Sequence, residues 1–203
     1  MVLGSVVLLA GTVGGLSHRA TAADNLEPGI DARNVWAEWR ALRQSLDTTA
    51  GALELAQLQL ARAEEIIAFS DRYQITADLA ALIYDTALRE AIDPDLAFRL
   101  VRVESGFSKR ALSRAGAVGL AQVLPATART YEPGITVEGL YDPATNLRIG
   151  FRYLHDLFLT YGDLRLALLA YNRGPTRVAE LLGVGQDPGN GYASSVMRGY
   201  RGM

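Results

Sequence analysis

Twice in this chain an aspartate is followed at once by a proline, an apolar series at helical spacing then begins, and a glycine closes it. Asp93-Pro94 opens a segment with Leu96, Ala97, Leu100 and Val101 that Gly106 stops. Asp142-Pro143 opens a longer one with Leu147, Phe151, Leu154, Phe158 and Tyr161 that Gly162 stops. An aspartate carboxylate accepts from the free N–H groups of a first turn, and proline suits the first helical position, where its missing N–H has no partner. Glycine tolerates the left-handed backbone at a helix end. Further helices are predicted over about 77–91, 164–172 and 176–182, the penultimate one stopped at Gly174-Pro175. No run of alternating β-branched residues and no tandem repeat appears, so the expected fold class is all-α.

The 203 residues suffice for one compact domain with an appendage. A net charge of -2 gives no electrostatic footprint for nucleic acid. Cysteine is absent, which excludes disulfides, thiolate metal sites and a lipidated N-terminal cysteine. Residues 1–17 carry no charge and are rich in Val and Leu, and Ala20-Thr21-Ala22-Ala23 follows shortly after. This reads as a secretory signal cleaved near Ala22 or Ala23, or, since a basic start is missing, as a weak membrane anchor. The expected organisation is therefore 1–23 signal or anchor, 24–74 helical segment, and 75–203 main domain. In the 24–74 segment Val35, Trp36, Trp39, Leu42 and Leu46 form an apolar stripe. Thr48-Thr49-Ala50-Gly51 interrupts it, which predicts one broken helix or an antiparallel pair packed on the following domain. Trp36 and Trp39 could stack on a sugar, but their place in the stripe assigns them to buried core.

Glu104 is the ionisable residue with the most unusual setting. Ala97, Leu100 and Val101 precede it by seven, four and three residues, so its carboxyl falls on the apolar face of its helix, in the last turn before Gly106. Burial disfavours the charged form, and the carbonyl dipoles of a helix end act in the same direction. Both favour a proton held near neutral pH, as a general acid requires. Periodicity alone leaves a second reading equally open, in which Glu104 pairs with Arg102, Lys109 or Arg110 or reaches solvent. His155 lies among Tyr153, Leu154 and Leu157 with no second ligand nearby in sequence, so no metal or catalytic role is assigned to it.

The residues around Glu104 form an ordered set: Glu104-Ser105, then Ser113, then Gly116-Ala117-Val118-Gly119-Leu120-Ala121-Gln122-Val123-Leu124-Pro125, then Ala170-Tyr171-Asn172-Arg173-Gly174, and finally Gly191-Tyr192. Over about 75–198 this set resembles the catalytic domain of the family 1 lytic transglycosylases, the soluble-lytic-transglycosylase type related to goose-type lysozyme. The resemblance implies a lysozyme-like helical domain with Glu104 as the catalytic acid/base. It implies that Ser113 helps orient the glutamate and the substrate's N-acetyl group, that Gln122 hydrogen-bonds the sugar, and that Tyr171 and Asn172 line the cleft. Tyr192 would face the catalytic carboxyl with its hydroxyl. Gly116 and Gly119 are expected to make a tight turn, on their chemistry as well as on the resemblance. Ala121 stands where many relatives have methionine, which implies a reduced apolar contact under the sugar. Arg173 replaces a usual alanine and is expected at the cleft rim.

The implied activity is non-hydrolytic cleavage of the MurNAc-GlcNAc β-1,4 bond of peptidoglycan, leaving 1,6-anhydro-MurNAc ends, without metal or organic cofactor. Two alternatives accompany it: a lysozyme-like muramidase that admits water, and a non-catalytic scaffold or wall-binding module whose 35–69 segment docks an envelope protein. The implied partner is the glycan strand, and the implied location is the periplasm or beyond it, with tethering if the first segment is retained.

Overall fold

The computed structural model describes residues 32–202. The expected signal or anchor at 1–23 lies outside them, and no helix among the described residues is long and apolar enough to cross a membrane. The described chain is all-α. Its helices are α1 (Ala32–Tyr73), α2 (Ala77–Arg89), α3 (Pro94–Ser105), α4 (Pro125–Tyr131), α5 (Pro143–Tyr161), α6 (Leu164–Arg173), α7 (Pro175–Gly183) and α8 (Tyr192–Met197), with a 3-10 turn at Gly139–Tyr141. The start signals act as expected. Asp93 accepts from the Leu96 N–H at 3.1 Å, and Asp142 from the Thr145 N–H at 2.8 Å. Gly106 and Gly162 close their helices at φ 57° and 62°.

Two compact units meet at Ala56 and Gln57, inside α1. In the first, the expected break at 48–51 is absent, because α1 is one uninterrupted helix. The hydroxyls of Thr48 and Thr49 donate to the Gln44 and Ser45 carbonyls at 2.8 Å each, so they bond back within the helix instead of capping a new start. Gly51 costs the helix only about 1 kcal/mol relative to alanine. Trp36 and Trp39 are exposed, at 68% and 64%, which corrects their assignment to the core. The apolar stripe is real, and Trp36, Trp39, Leu42 and Leu46 on it are exposed.

In the second unit the core is built around α5, which packs against α2 and α6. Leu147, Phe151 and Leu154 enter the large apolar cluster with Ile83, Phe98, Leu100 and Leu168. The last turns of α1 join that cluster through Ile66 and Phe69, and the Phe69 and Phe98 rings stack with centroids 4.2 Å apart. Ile149, on another side of α5, enters a smaller cluster with Val118, Ala121, Val123, Ala128 and Leu140.

Between the two clusters sits Asn146, fully buried. Its Oδ1 accepts from the Ala121 N–H at 2.8 Å, and its Nδ2 donates to the Val118 and Leu140 carbonyls at 2.8 and 2.9 Å. One side chain thereby bonds two backbone groups of the irregular loop before α4 and the Leu140 carbonyl of the 3-10 turn. Gly119 has φ 76°, and a Cβ on it would stand 2.5 Å from Asn146 Nδ2. Glycine is needed there for both space and conformation. Asn146→Leu keeps the branched shape but leaves the Ala121 N–H and the Leu140 carbonyl unpaired, while the Val118 carbonyl keeps the Val123 N–H, so we expect a loss of about 3 kcal/mol, read as a drop of roughly 10 °C in Tm by circular dichroism. A change under 2 °C would show that water replaces the amide.

Candidate active site

Glu104 lies in the last turn of α3, behind the fully buried Ala97, Leu100 and Val101. The carboxyl is held by one contact from another helix: the Tyr192 hydroxyl, at the start of α8, donates to Glu104 Oε1. The alternative pairing with a cation is not seen. Arg110 instead approaches Glu138 at 3.5 Å and lies over the Tyr141 ring. Burial pushes the Glu104 carboxyl up to about 7, opposed by the Tyr192 hydrogen bond, which favours the charged form. The Tyr192 phenol is itself raised well above its usual 10, by burial first and by Glu104 second, so it remains a donor.

A cleft of about 430 Å³ opens over this carboxyl, walled by Ser113, Gln122, Thr127, Tyr153, Tyr171, Asn172 and Arg173 among others. Glu104 is the one acidic residue in its wall among the described residues. Ser113 both lines the cleft and closes a turn, since its Oγ accepts from the Ala117 N–H at 2.9 Å. Gly116 at φ 82° and Gly119 at φ 76° bend the chain as their chemistry predicts. Gln122 sits in the left-handed region at φ 47°, rare for a residue with a side chain. Its Nε2 donates to the Gly119 carbonyl at 2.9 Å, which fixes the carboxamide at the cleft wall.

The Tyr171 ring faces the cleft, but its hydroxyl is directed beneath the wall, donating to the Ala121 carbonyl at 2.7 Å. Asn172 Oδ1 accepts from Asn190 Nδ2 at 2.9 Å, and Asn190 Oδ1 accepts from the Tyr192 N–H at 3.1 Å. This relay ties the end of α6 to the start of α8. Arg173 reaches the cleft, while its guanidinium donates to the Pro188 carbonyl at 2.7 Å.

Ala121 is fully buried and faces Gly150 of α5, where an added Cβ would come within 2.5 Å of the Ala121 methyl. It therefore contributes packing below the cleft wall and presents no surface to a ligand. Sequence reasoning also missed Asn146, Gly150 and Asn190. Asn146 carried a signal, a polar residue beside Leu147 and Ile149 in an apolar helix, whereas Asn190 carried none.

The pattern describing the Transglycosylase SLT domain matches residues 81–188, more than half of the chain. The soluble lytic murein transglycosylase of Escherichia coli (strain K12) is 38% identical over 99 residues, covering 45% of this chain and 15% of that protein. A transglycosylase of Enterobacteria phage PRD1 is 40% identical over 83 residues, covering 41% of this chain and 30% of its own length. The chain thus spans less than a third of these relatives. Among solved structures, the 70-kDa soluble lytic transglycosylase in complex with bulgecin A superimposes with a TM-score of 0.53 at 29% identity, over 64% of this chain and 24% of that one.

The raised carboxyl makes a stability prediction. The unfolded chain releases the Glu104 proton near 4.5, and the folded one near 7. Between those values the folded state binds more protons, so folding stability falls as pH rises through this window and stays lowered above it. Glu104→Gln removes the penalty. It should unfold like the wild type at pH 4 and gain on the order of 3 kcal/mol at pH 8, measured by urea denaturation. An equal gain at both pH values would mean that the carboxyl is not desolvated.

Proposed function

The chain belongs to the Transglycosylase SLT domain family, and on that premise we propose that it is a peptidoglycan lytic transglycosylase with Glu104 as sole acid/base. The observation that carries this reading is a desolvated carboxyl, poised near 7, alone in its cleft. Glycosidases ordinarily place two carboxyl groups about the scissile bond. Where the protein offers one, the second group must come from the substrate. The 2-acetamido carbonyl of N-acetylmuramic acid can fill that role by stabilising the cationic anomeric carbon as the glycosidic bond breaks.

Protonated Glu104 gives its proton to the departing glycosidic oxygen. The resulting carboxylate takes a proton from the muramic C6 hydroxyl as that oxygen bonds to C1. The acid is restored, no water is consumed, and the product ends in a 1,6-anhydro sugar. Tyr192 keeps Glu104 oriented and steadies the carboxylate stage, since its hydrogen bond favours the charged form. Ser113, Gln122 and Asn172 offer polar groups along the wall for hydroxyl and N-acetyl groups of the glycan, and the Tyr171 ring offers a face to a sugar. The substrate lies in the cell envelope, and residues 1–23 would direct the chain there, either as a cleaved signal or as a tether.

Digestion of purified sacculi followed by mass analysis tests the reaction. We expect anhydro ends. Hydrated reducing ends would identify a hydrolase instead, and no release at all would favour a wall-binding module. Glu104→Gln should lower the rate by at least about a thousandfold. Tyr192→Phe should cost roughly tenfold in kcat/KM and move the alkaline fall of its pH profile upward from about 7, because the bond it removes lowers the Glu104 value. A profile shifted downward would contradict that role.

A further inference from the structure

Helix α1 carries two apolar faces with different fates. Ile66, Phe69 and Tyr73 pack into or against the domain core, and Arg62 pairs with Asp85 through Nε at 2.8 Å. The other face is uncovered along the described helix. Trp39, Leu46, Leu53, Leu60 and Ile67 recur every seven residues and are all between 56% and 64% exposed. Val35, Leu42, Thr49, Ala56 and Ala63 recur at the same interval, offset so that the combined spacing alternates four and three. These are the two seam positions of a heptad repeat, a and d, sustained over more than four heptads. An apolar stripe on a straight helix repeats every 3.6 residues. A strict seven-residue repeat keeps one narrow seam in line only when two helices wind left-handedly around each other.

We propose that the seam of α1 is occupied by α1 of a second copy, in a parallel, in-register two-stranded coiled coil. In that register each large a residue faces its own counterpart, and the small d residues Thr49, Ala56 and Ala63 let the helices approach closely between the Leu layers. The flanking charges agree. Glu38 falls at a g position and Arg43 at the following e position, so a parallel pair brings Glu38 of each copy to Arg43 of the other, twice by symmetry. The exposed seam side chains with Trp36 present roughly 800 Å² of apolar surface per helix, about one side of a standard stable interface. Such a surface is larger than soluble monomers ordinarily leave uncovered.

The absence of native cysteine permits a direct test on the full chain. Sedimentation equilibrium at tens of micromolar should return twice the chain mass. In Leu46→Cys the a-layer thiols would lie within disulfide reach in the parallel register, so mild oxidation should give covalent dimer. Gln44→Cys, on the opposite side of the helix, should not. Leu46→Asp combined with Leu53→Asp should weaken the dimer at least a hundredfold while leaving sacculus cleavage and the unfolding midpoint of the cleft domain unchanged. A monomeric wild type, an assembly larger than two, equal crosslinking at positions 44 and 46, or a dimer that survives the double substitution would each overturn the proposal.

Discussion

A carboxyl buried without a counter-charge governs the architecture of the cleft. Desolvation alone would lock Glu104 in its protonated form, and a neighbouring cation would lock it in the charged one. The phenol of Tyr192 does neither, because it stabilises the carboxylate by a hydrogen bond without adding a positive charge. The balance holds only while α3 and α8 keep their spacing. Arg99 of α3 secures it by donating to the carbonyls of Arg198 and Gly199, just past the end of α8, while its Nε pairs with Asp95 at 2.9 Å. Asn190 secures the other end of α8 through Asn172. A helix of six residues has little stability of its own, and these ties supply what its length does not.

The opposite wall is an irregular loop whose backbone pairing is short-range, as from the Ser113 N–H to the Ala117 carbonyl and from the Gly119 N–H to the Ala111 carbonyl. Two isolated bridges, Leu112 with Val118 and Val118 with Val123, are all the ladder it has. Asn146 adds partners from inside α5, and Gly119 and Gly150 remove the atoms that would keep that loop away from the helix. Tyr171 completes the wall by bonding the Ala121 carbonyl from α6. The cleft is thus set by buried polar contacts to backbone. Such contacts are directional, and they are costly to leave half-made.

Much of this was legible in the sequence, for reasons that separate cleanly by range. Helix starts and stops depend on neighbours within four residues, so Asp93, Asp142, Gly106 and Gly162 could be read directly. One helical face placed Glu104 beside apolar neighbours but left pairing with a cation equally open. The Asn146 contacts join residues 6 to 28 positions apart, and the Ala121 environment comes from α5 and α6, which no local pattern encodes. Short α4 escaped because Pro125 opens it without a capping side chain. Thr48 and Thr49 misled for a related reason: hydroxyl residues favour caps, yet they also bond back to the preceding turn, and the surrounding helix decided between the two.

Trp36 and Trp39 show where apolar periodicity stops being informative. A stripe states that a surface is to be covered, but it does not state by what. On α3 the covering elements lie in the same chain, and the inference from stripe to core holds. On α1 Ile66, Phe69 and Tyr73 pack into or against the domain core, and the exposed Trp39, Leu46, Leu53, Leu60 and Ile67 recur every seven residues rather than eighteen per five turns. The distinction between 3.5 and 3.6 residues per turn is small over one heptad, where either seam fits. Over the four heptads from Trp39 to Ile67 it amounts to about 80°, a little under a quarter of a turn, enough to carry a straight-helix stripe off the line that Trp39, Leu46, Leu53, Leu60 and Ile67 keep. Helix length, more than hydrophobicity, therefore decides that this face matches a supercoiled partner rather than a globular core.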